Sequence, residues 1–161
     1  MANHRIDPTT LPGRPCSLAS ALQLVGERWA MLAVREVMFG NHQFGQLARN
    51  TGAPTDRLAA RLKDLVAAGI LERRREPTSR YDGYYLTEAG QALGEAMQPL
   101  TRWGDRWAVT EPPMRATHHD HQVVVRQVCA VCGEEIGADV VREMTVPGWD
   151  AAGPVDPQPT R

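Results

Sequence analysis

The chain has 161 residues, of which 42% are hydrophobic and 23% are charged, a composition that suits one globular domain with an appendage. No apolar run approaches the roughly 20 residues of a membrane-spanning helix, and the N-terminal segment has no apolar signal core, so we expect a cytoplasmic protein without a membrane partner. The three cysteines are too few, and odd in number, for a disulfide framework.

The net charge of −1 conceals an uneven distribution of charge along the chain. Between Thr55 and Tyr81, seven arginines and lysines face four carboxylates, which gives a local charge of +3. From Ala108 to the end, four arginines face eight carboxylates, which gives −4. The basic segment predicts contact with a polyanion, whatever the sum over the whole chain.

Apolar residues recur at helical spacing over four segments in the first part of the chain. The predicted helices run from about residue 15 to 26, 28 to 39, 44 to 50 and 54 to 68. In the fourth helix Leu58, Leu62 and Leu65 form the buried stripe, and Gly69 ends the helix. The period then changes, and residues 70–76 and 83–87 predict two strands joined by a turn. A long helix follows from about 88 to 108, with an expected kink at Pro99.

The fold class is therefore mainly α with a small β hairpin (α+β), followed by a C-terminal extension. We expect a flexible N-terminus over residues 1–14, a main domain over 15–110, a histidine- and cysteine-containing extension over 114–146 and a disordered tail over 147–161. The extension contains one apolar, β-like run, Val123-Val124-Val125.

A helix, a short helix, a further helix and then a basic hairpin is the order of a winged helix-turn-helix. In the details, residues 16–107 resemble the HxlR-type regulators, which are relatives of the MarR group. The motifs are Cys16-Ser17-Leu18, Val25-Gly26-Glu27-Arg28-Trp29, Phe44-Gly45-Gln46-Leu47, the run from Leu58 to Leu65, Gly69-Ile70-Leu71-Glu72-Arg73 and Tyr84-Tyr85-Leu86-Thr87-Glu88-Ala89-Gly90. The resemblance implies a sequence-specific transcriptional regulator that binds double-stranded DNA and is not an enzyme.

The outward face of the fourth helix predicts the contacts with DNA, because an α-helix fits the major groove. Helical geometry puts Asp56, Ala60 and Lys63 opposite the leucine stripe, flanked by Arg57 and Arg61. We expect Thr55, Arg57 and Arg61 to reach bases or adjacent phosphates and Lys63 to reach a phosphate. The hairpin arginines expected along the DNA backbone or in the minor groove are Arg73, Arg74, Arg75 and Arg80. A solvated charged face is the alternative.

The long helix has more apolar surface than a small domain can cover. One interpretation is that this apolar surface packs into the core of the same chain. The resemblance implies instead that the helix pairs with helix 1 of a second chain, which gives a two-fold dimer on a pseudo-palindromic operator. The residues expected at this interface are Leu18, Leu22, Trp29, Leu93, Met97, Leu100, Trp103 and Trp107.

Cys16 lies at a predicted helix N-terminus near Arg14, and both features lower the pKa of a thiol. The resemblance implies that this cysteine senses oxidants or electrophiles, whereas a buried cysteine would act only as a small apolar residue. A small-molecule effector at the dimer interface, near Trp29, Trp103 and Trp107, is a second means of control that the resemblance suggests.

The extension contains Cys129-Ala130-Val131-Cys132-Gly133, the pattern of a zinc knuckle. His118 and His121 have the same spacing and would complete a tetrahedral zinc site with two sulfur and two nitrogen ligands. A redox-active Cys-x-x-Cys and an inert surface pair are the competing interpretations.

Two other classes of function compete with the regulator. The first is a winged-helix protein-interaction module without specific DNA binding, against which the arginines of the fourth helix and the hairpin argue. The second is a small thiol–disulfide or zinc enzyme centred on the extension. The sequence shows no paired acid and base, no phosphate loop and no nucleophile motif for such an enzyme.

Overall fold

The computed structural model describes residues 5–75, 80–137, 140–150 and 152–153. This part of the chain contains five α-helices and four short strands. The helices are α1 (Ser17–Val25), α2 (Arg28–Met38), α3 (Phe44–Thr51), α4 (Thr55–Ala67) and α5 (Glu88–Trp107). The strands are β1 (Leu71–Arg75), β2 (Asp82–Leu86), β3 (Thr117–His118) and β4 (His121–Gln122). A 3-10 helix at Pro8–Thr10, capped by Asp7, precedes α1.

The core forms around α2, which packs against α3, α4 and β2. Ala33 and Val34 of α2 are fully buried with the leucines of α3 and α4. Full burial of one such leucine stabilises the fold by about 1.5–3 kcal/mol. The leucine stripe of α4 therefore fixes which face of that helix remains available to a ligand.

Strands β1 and β2 form an antiparallel hairpin, the wing, that runs from Leu71 paired with Leu86 to Arg75 paired with Asp82. The wing is also tied to the turn between α2 and α3, because the Tyr84 N–H donates to the His42 carbonyl at 2.9 Å. His42 Nδ1 lies 2.9 Å from the Tyr84 carbonyl oxygen, and its ring stacks on Tyr85. These contacts fix the base of the wing against the helices.

The winged helix-turn-helix expected from the sequence is confirmed, with element ends that differ by one or two residues. The apolar run at residues 123–125 is an exception, because it forms no strand. A β-like pattern needs a partner for its backbone groups, and the backbone bond described for this run joins the Val123 N–H to the Ala116 carbonyl. The strands β3 and β4 precede the run instead.

The chain divides into two compact units, residues 1–96 and 97–161, with the division inside α5. From composition, we predicted the boundary between the main domain and the extension at residues 110–114. That boundary remains a prediction. Outside the described residues lie 1–4 of the predicted flexible N-terminus, 76 of the first predicted strand, 77–79 of the predicted turn, 138–139 of the predicted extension, and 151 and 154–161 of the predicted disordered tail. Within the described helices, none is long and apolar enough to cross a membrane.

Candidate nucleic-acid interface

Helix α4 presents one buried and one exposed face. Leu58, Leu62 and Leu65 are fully buried. The predicted contact residues Thr55, Asp56, Arg57, Ala60 and Lys63 are all exposed, and Arg61 is half-buried. The structure therefore leaves the N-terminal half of α4 accessible to a polyanion.

The turn between α3 and α4 sets the direction of α4. Gly52 ends α3 with φ of 66°, a left-handed conformation that favours glycine. The Thr51 hydroxyl donates to the Leu47 carbonyl at 2.7 Å and accepts from the Ala53 N–H at 3.2 Å. The chain then enters α4 through Pro54, which suits the beginning of a helix.

A buried carboxylate on α2, which the sequence analysis missed, connects α2 to α3 and to the turn before it. Glu36 is only 5% exposed. One of its oxygens accepts from Arg35 Nη2 at 2.7 Å, and the other accepts from the Nδ2 atoms of Asn41 and Asn50 at 2.9 and 3.0 Å. The Asn50 contact joins α2 to α3, between residues 14 positions apart in the sequence. The signal in the sequence for this buried carboxylate was an acidic residue inside an apolar helical stripe.

The arginines of α4 differ in what holds their guanidinium groups. Arg57 has a 70% exposed side chain, and its Nε lies 3.9 Å from Asp56. The Arg61 side chain is 33% exposed and pairs with Asp64 at 3.1 Å, one helical turn away. Arg57 is therefore the less constrained of the two.

The predicted run of wing arginines is divided between the two faces of strand β1, since successive side chains of a strand alternate. Arg73 and Arg75 lie on either side of the Asp82 carboxylate, at 3.4 and 3.3 Å. Arg74 lies over the Tyr85 ring, 3.9 Å from its centroid, and pairs with Glu72 at 3.0 Å. Arg80 is exposed beside the undescribed part of the turn.

An open groove of about 650 Å³ lies where α3, α4 and the wing meet. It is lined by Gln43, Phe44, Gly45, Ala59, Arg73, Arg75, Tyr81, Asp82 and Tyr84. The structure thus brings Arg73 and Arg75 to a surface shared with α4, while Arg74 lines a different depression with His42 and Tyr85.

Cys16 is the exposed N-cap residue of α1. The backbone N–H groups of Ala19 and Leu18 lower the pKa of its thiol, and the cationic Arg14 lowers it further. These groups favour the thiolate, which is the reactive form of cysteine.

Several residues expected at a dimer interface are exposed apolar side chains. On α1 these are Leu18 and Leu22, and on the last part of α5 they are Leu100, Trp103 and Trp107. The remaining three, Trp29, Leu93 and Met97, are half-buried.

The four candidate zinc ligands lie in two separate pairs. His118 and His121 are cross-strand partners on β3 and β4, with ring centroids 5.9 Å apart. The pKa of the Cys129 thiol is lowered by the backbone N–H groups of Cys132 and Val131 and by the Cys132 side chain. Among the described residues no three His, Cys, Asp or Glu side chains are gathered as a metal site, so the structure does not bring the pairs together.

The chain is similar to known proteins over most of its length. Residues 24–112 match the family model described as HxlR-like helix-turn-helix. An uncharacterised HTH-type transcriptional regulator of Mycobacterium tuberculosis is 42% identical over 141 residues, which cover 84% of this chain and 89% of that protein. A regulator of Synechocystis is 28% identical over 69% of this chain and 84% of its own length.

Solved structures show the same fold. PA1607, described as a candidate transcription factor, superposes with a TM-score of 0.74 at 29% identity, over 81% of this chain and 95% of that one. The reduced form of the transcriptional regulator YodB from B. subtilis gives a TM-score of 0.50 at 33% identity, over 57% of this chain and 93% of its own. The resemblance drawn from the motifs is confirmed: the chain belongs to the HxlR-like helix-turn-helix family of DNA-binding transcriptional regulators.

Proposed function

We propose that this regulator binds a pseudo-palindromic operator as a homodimer, with α4 in the major groove and the wing on the flanking backbone. The observation that carries the proposal is the exposed face of α4, with Thr55, Arg57 and Lys63 accessible and Arg73 and Arg75 beside it on one groove. We assign it no catalytic role, and because its partner is DNA we place its action in the cytoplasm.

Helix α4 and the wing contribute different kinds of contact. An arginine can pair with guanine through two hydrogen bonds, and the exposed Arg57 near the N-terminus of α4 suits this role. Arg73 and Arg75 suit phosphate contacts, which raise affinity at every sequence. Specificity would thus come from α4 and salt dependence largely from the wing.

Exposed tryptophans support the homodimer. Trp103 and Trp107 of α5 are 59% and 65% exposed. Large apolar side chains left exposed together on a monomer often mark an interface. A two-fold dimer would place two copies of α4 on half-sites about 34–36 Å apart, one turn of DNA.

Cys16 is the proposed point of control. Its exposed thiol, stabilised as thiolate by the N-terminus of α1, can react with an oxidant or electrophile. It lies beside Leu18, one of the proposed interface residues, so a modification there would alter the dimer and hence the spacing of the two α4 helices. A coupling of about 1–3 kcal/mol changes the affinity for the operator about 5- to 150-fold.

The test is selection of bound fragments from sheared genomic DNA, with reduced protein and again after mild thiol oxidation. We expect one pseudo-palindromic site from reduced protein and its loss after oxidation. Cys16→Ser should keep the site in both states, whereas Cys129→Ser/Cys132→Ser, the matched control, should behave as the natural chain does. If neither state enriches any sequence, the proposed operator binding is wrong.

The reactivity of Cys16 can be measured separately by alkylation at a series of pH values. Because the folded environment lowers the pKa of the thiol, the rate should reach half its maximum at a lower pH than in the unfolded chain. The Cys129→Ser/Cys132→Ser variant isolates Cys16 for this measurement. Equal midpoints for the folded and unfolded chains would remove the basis for a sensor at Cys16.

A further inference from the structure

Residues 126–136 form a second, very small hairpin in the C-terminal unit. Val128 and Glu135 form an antiparallel bridge. The Ile136 N–H donates to the Gln127 carbonyl, and the Cys129 N–H donates to the Glu134 carbonyl, both at 2.8 Å. The two cysteines therefore lie at the closed end of a paired ribbon.

The turn of this hairpin wraps around the sulfur of Cys129. Gly133 has φ of 76°, and its N–H donates to the Cys129 carbonyl at 2.8 Å. The backbone N–H groups of Cys132 and Val131 face the Cys129 thiol, and the Cys132 thiol contacts it. Such a turn presents two adjacent sulfurs to one point and donates hydrogen bonds to a thiolate, which is what a bound metal ion requires.

The hairpin has almost no apolar core to hold it. At the tip Val131 is 96% exposed, and Val128 and Ile136 are also exposed. None of the described residues from 108 onwards is buried. A two-stranded ribbon is marginally stable at best in water, and small units of this size usually need a disulfide, a metal or a partner.

We propose that Cys129 and Cys132 bind one zinc-class cation and that His118 and His121 complete its tetrahedron. Both pairs belong to the same compact unit, and each is already arranged as a pair, one by the turn and the other across β3 and β4. The five residues between β4 and Val128 form no helix or strand, so this linker can bend and allow the two hairpins to meet. Cysteine and neutral histidine are the ligands that zinc prefers.

Zinc binding would bring the two pairs together, because they lie apart in the structure. Arg102 Nη1 donates to the carbonyl of Val125, in the middle of the linker, and this contact would have to adjust. The ion cross-links the two hairpins, and this cross-link stabilises a unit that has almost no apolar core. This role is structural and independent of the proposed operator binding.

The experiment is titration of the full-length reduced chain with Co²⁺, followed by displacement with Zn²⁺. We expect one ion per chain, near-ultraviolet absorption from sulfur-to-cobalt charge transfer, and the intense visible bands of a tetrahedral site. Cys129→Ser/Cys132→Ser should abolish both signals. His118→Gln/His121→Gln should keep the charge transfer, lose most of the visible intensity and bind at least tenfold more weakly.

Cys16→Ser is the matched control, since it removes a thiol outside the proposed site, and it should leave the spectrum unchanged. Limited proteolysis gives a second readout: Zn²⁺ should protect the chain between about 112 and 137, and a chelator should reverse this. Any one of four results overturns the proposal. They are no charge transfer in the natural chain, charge transfer that survives the double serine variant, one ion per two chains, and a histidine variant with unaltered spectrum and affinity.

Discussion

The two arginines of α4 lead to different expectations at the scale of single residues. Arg57 is mostly exposed and weakly paired, whereas Arg61 is held by Asp64. Replacing Arg57 with Ala should therefore reduce the discrimination between operator and unrelated DNA by about 1–3 kcal/mol, as expected for loss of an arginine–guanine pair. The measurement is the ratio of the two dissociation constants at one fixed salt concentration.

Lys63 provides the matched control for Arg57, since it lies on the same exposed face of α4. A lysine at a phosphate contributes equally to every sequence. Lys63→Ala should weaken binding to operator and unrelated DNA alike and lower the salt slope by about 1. If Arg57→Ala showed this uniform loss instead, Arg57 would be a phosphate contact and the assignment of base reading would be wrong.

If the wing arginines contact DNA as proposed, Asp82 competes with DNA for Arg73 and Arg75. Its carboxylate pairs with both Arg73 and Arg75 across exposed surface. Such pairs contribute only about 0–1 kcal/mol each to stability, so the wing should fold without them. Asp82→Asn should therefore raise affinity for unrelated DNA and steepen its salt dependence. Weaker binding would show instead that Asp82 orients the arginines for contact.

The sequence did not predict that the wing arginines lie on two different faces of β1. The run from Arg73 to Arg75 was treated as one basic feature, because charge alone carries no information about faces. Strand alternation separates Arg74, whose guanidinium stacks on Tyr85. That contact depends on a residue eleven positions away, which the register of the hairpin places opposite Glu72, diagonally across from Arg74.

At the scale of elements, the junction between the wing and α5 explains one of the family motifs in physical terms. The Thr87 hydroxyl donates to the carbonyls of Gly69 and Ile70 at 2.6 and 3.0 Å and accepts from the Gly90 N–H. A Cβ on Gly90 would overlap the carbonyl oxygen of Ile70. Threonine and glycine are therefore both needed for α5 to begin against the loop after α4.

Replacing Gly90 with Ala should destabilise the protein by about 1–3 kcal/mol, because the clash is with backbone and cannot be relieved by a rotamer change. Gly45→Ala is the control, since a Cβ there meets no atom within 4 Å. That variant should keep the stability or raise it by less than about 1 kcal/mol, as alanine favours helix. The measurement is the free energy of unfolding of each variant in urea. Equal values for the two variants would contradict the close packing at Gly90.

Element positions were predictable because helical periodicity and the glycines at positions 26, 69 and 52 are local signals. The run Val123-Val124-Val125 misled for the opposite reason. Its β-branched residues favour a strand, but a strand needs a neighbour at hydrogen-bonding distance, and the sequence does not say whether one is present. The candidate zinc ligands show the same limit, since spacing identifies each pair but not whether the pairs meet.

At the scale of the whole molecule, the exposed tryptophans of α5 predict that the protein functions as a dimer. Trp103→Glu places a charge in the proposed interface and should yield monomers, detected by sedimentation equilibrium. Each monomer would reach only one half-site, so operator affinity should fall about a hundredfold or more. Val141→Glu is the control, because it adds the same charge at an exposed apolar position outside α5 and outside the proposed zinc site. A Trp103→Glu protein that stays dimeric would move the interface elsewhere, and a monomer with undiminished operator affinity would show that dimerisation through α5 does not serve DNA binding.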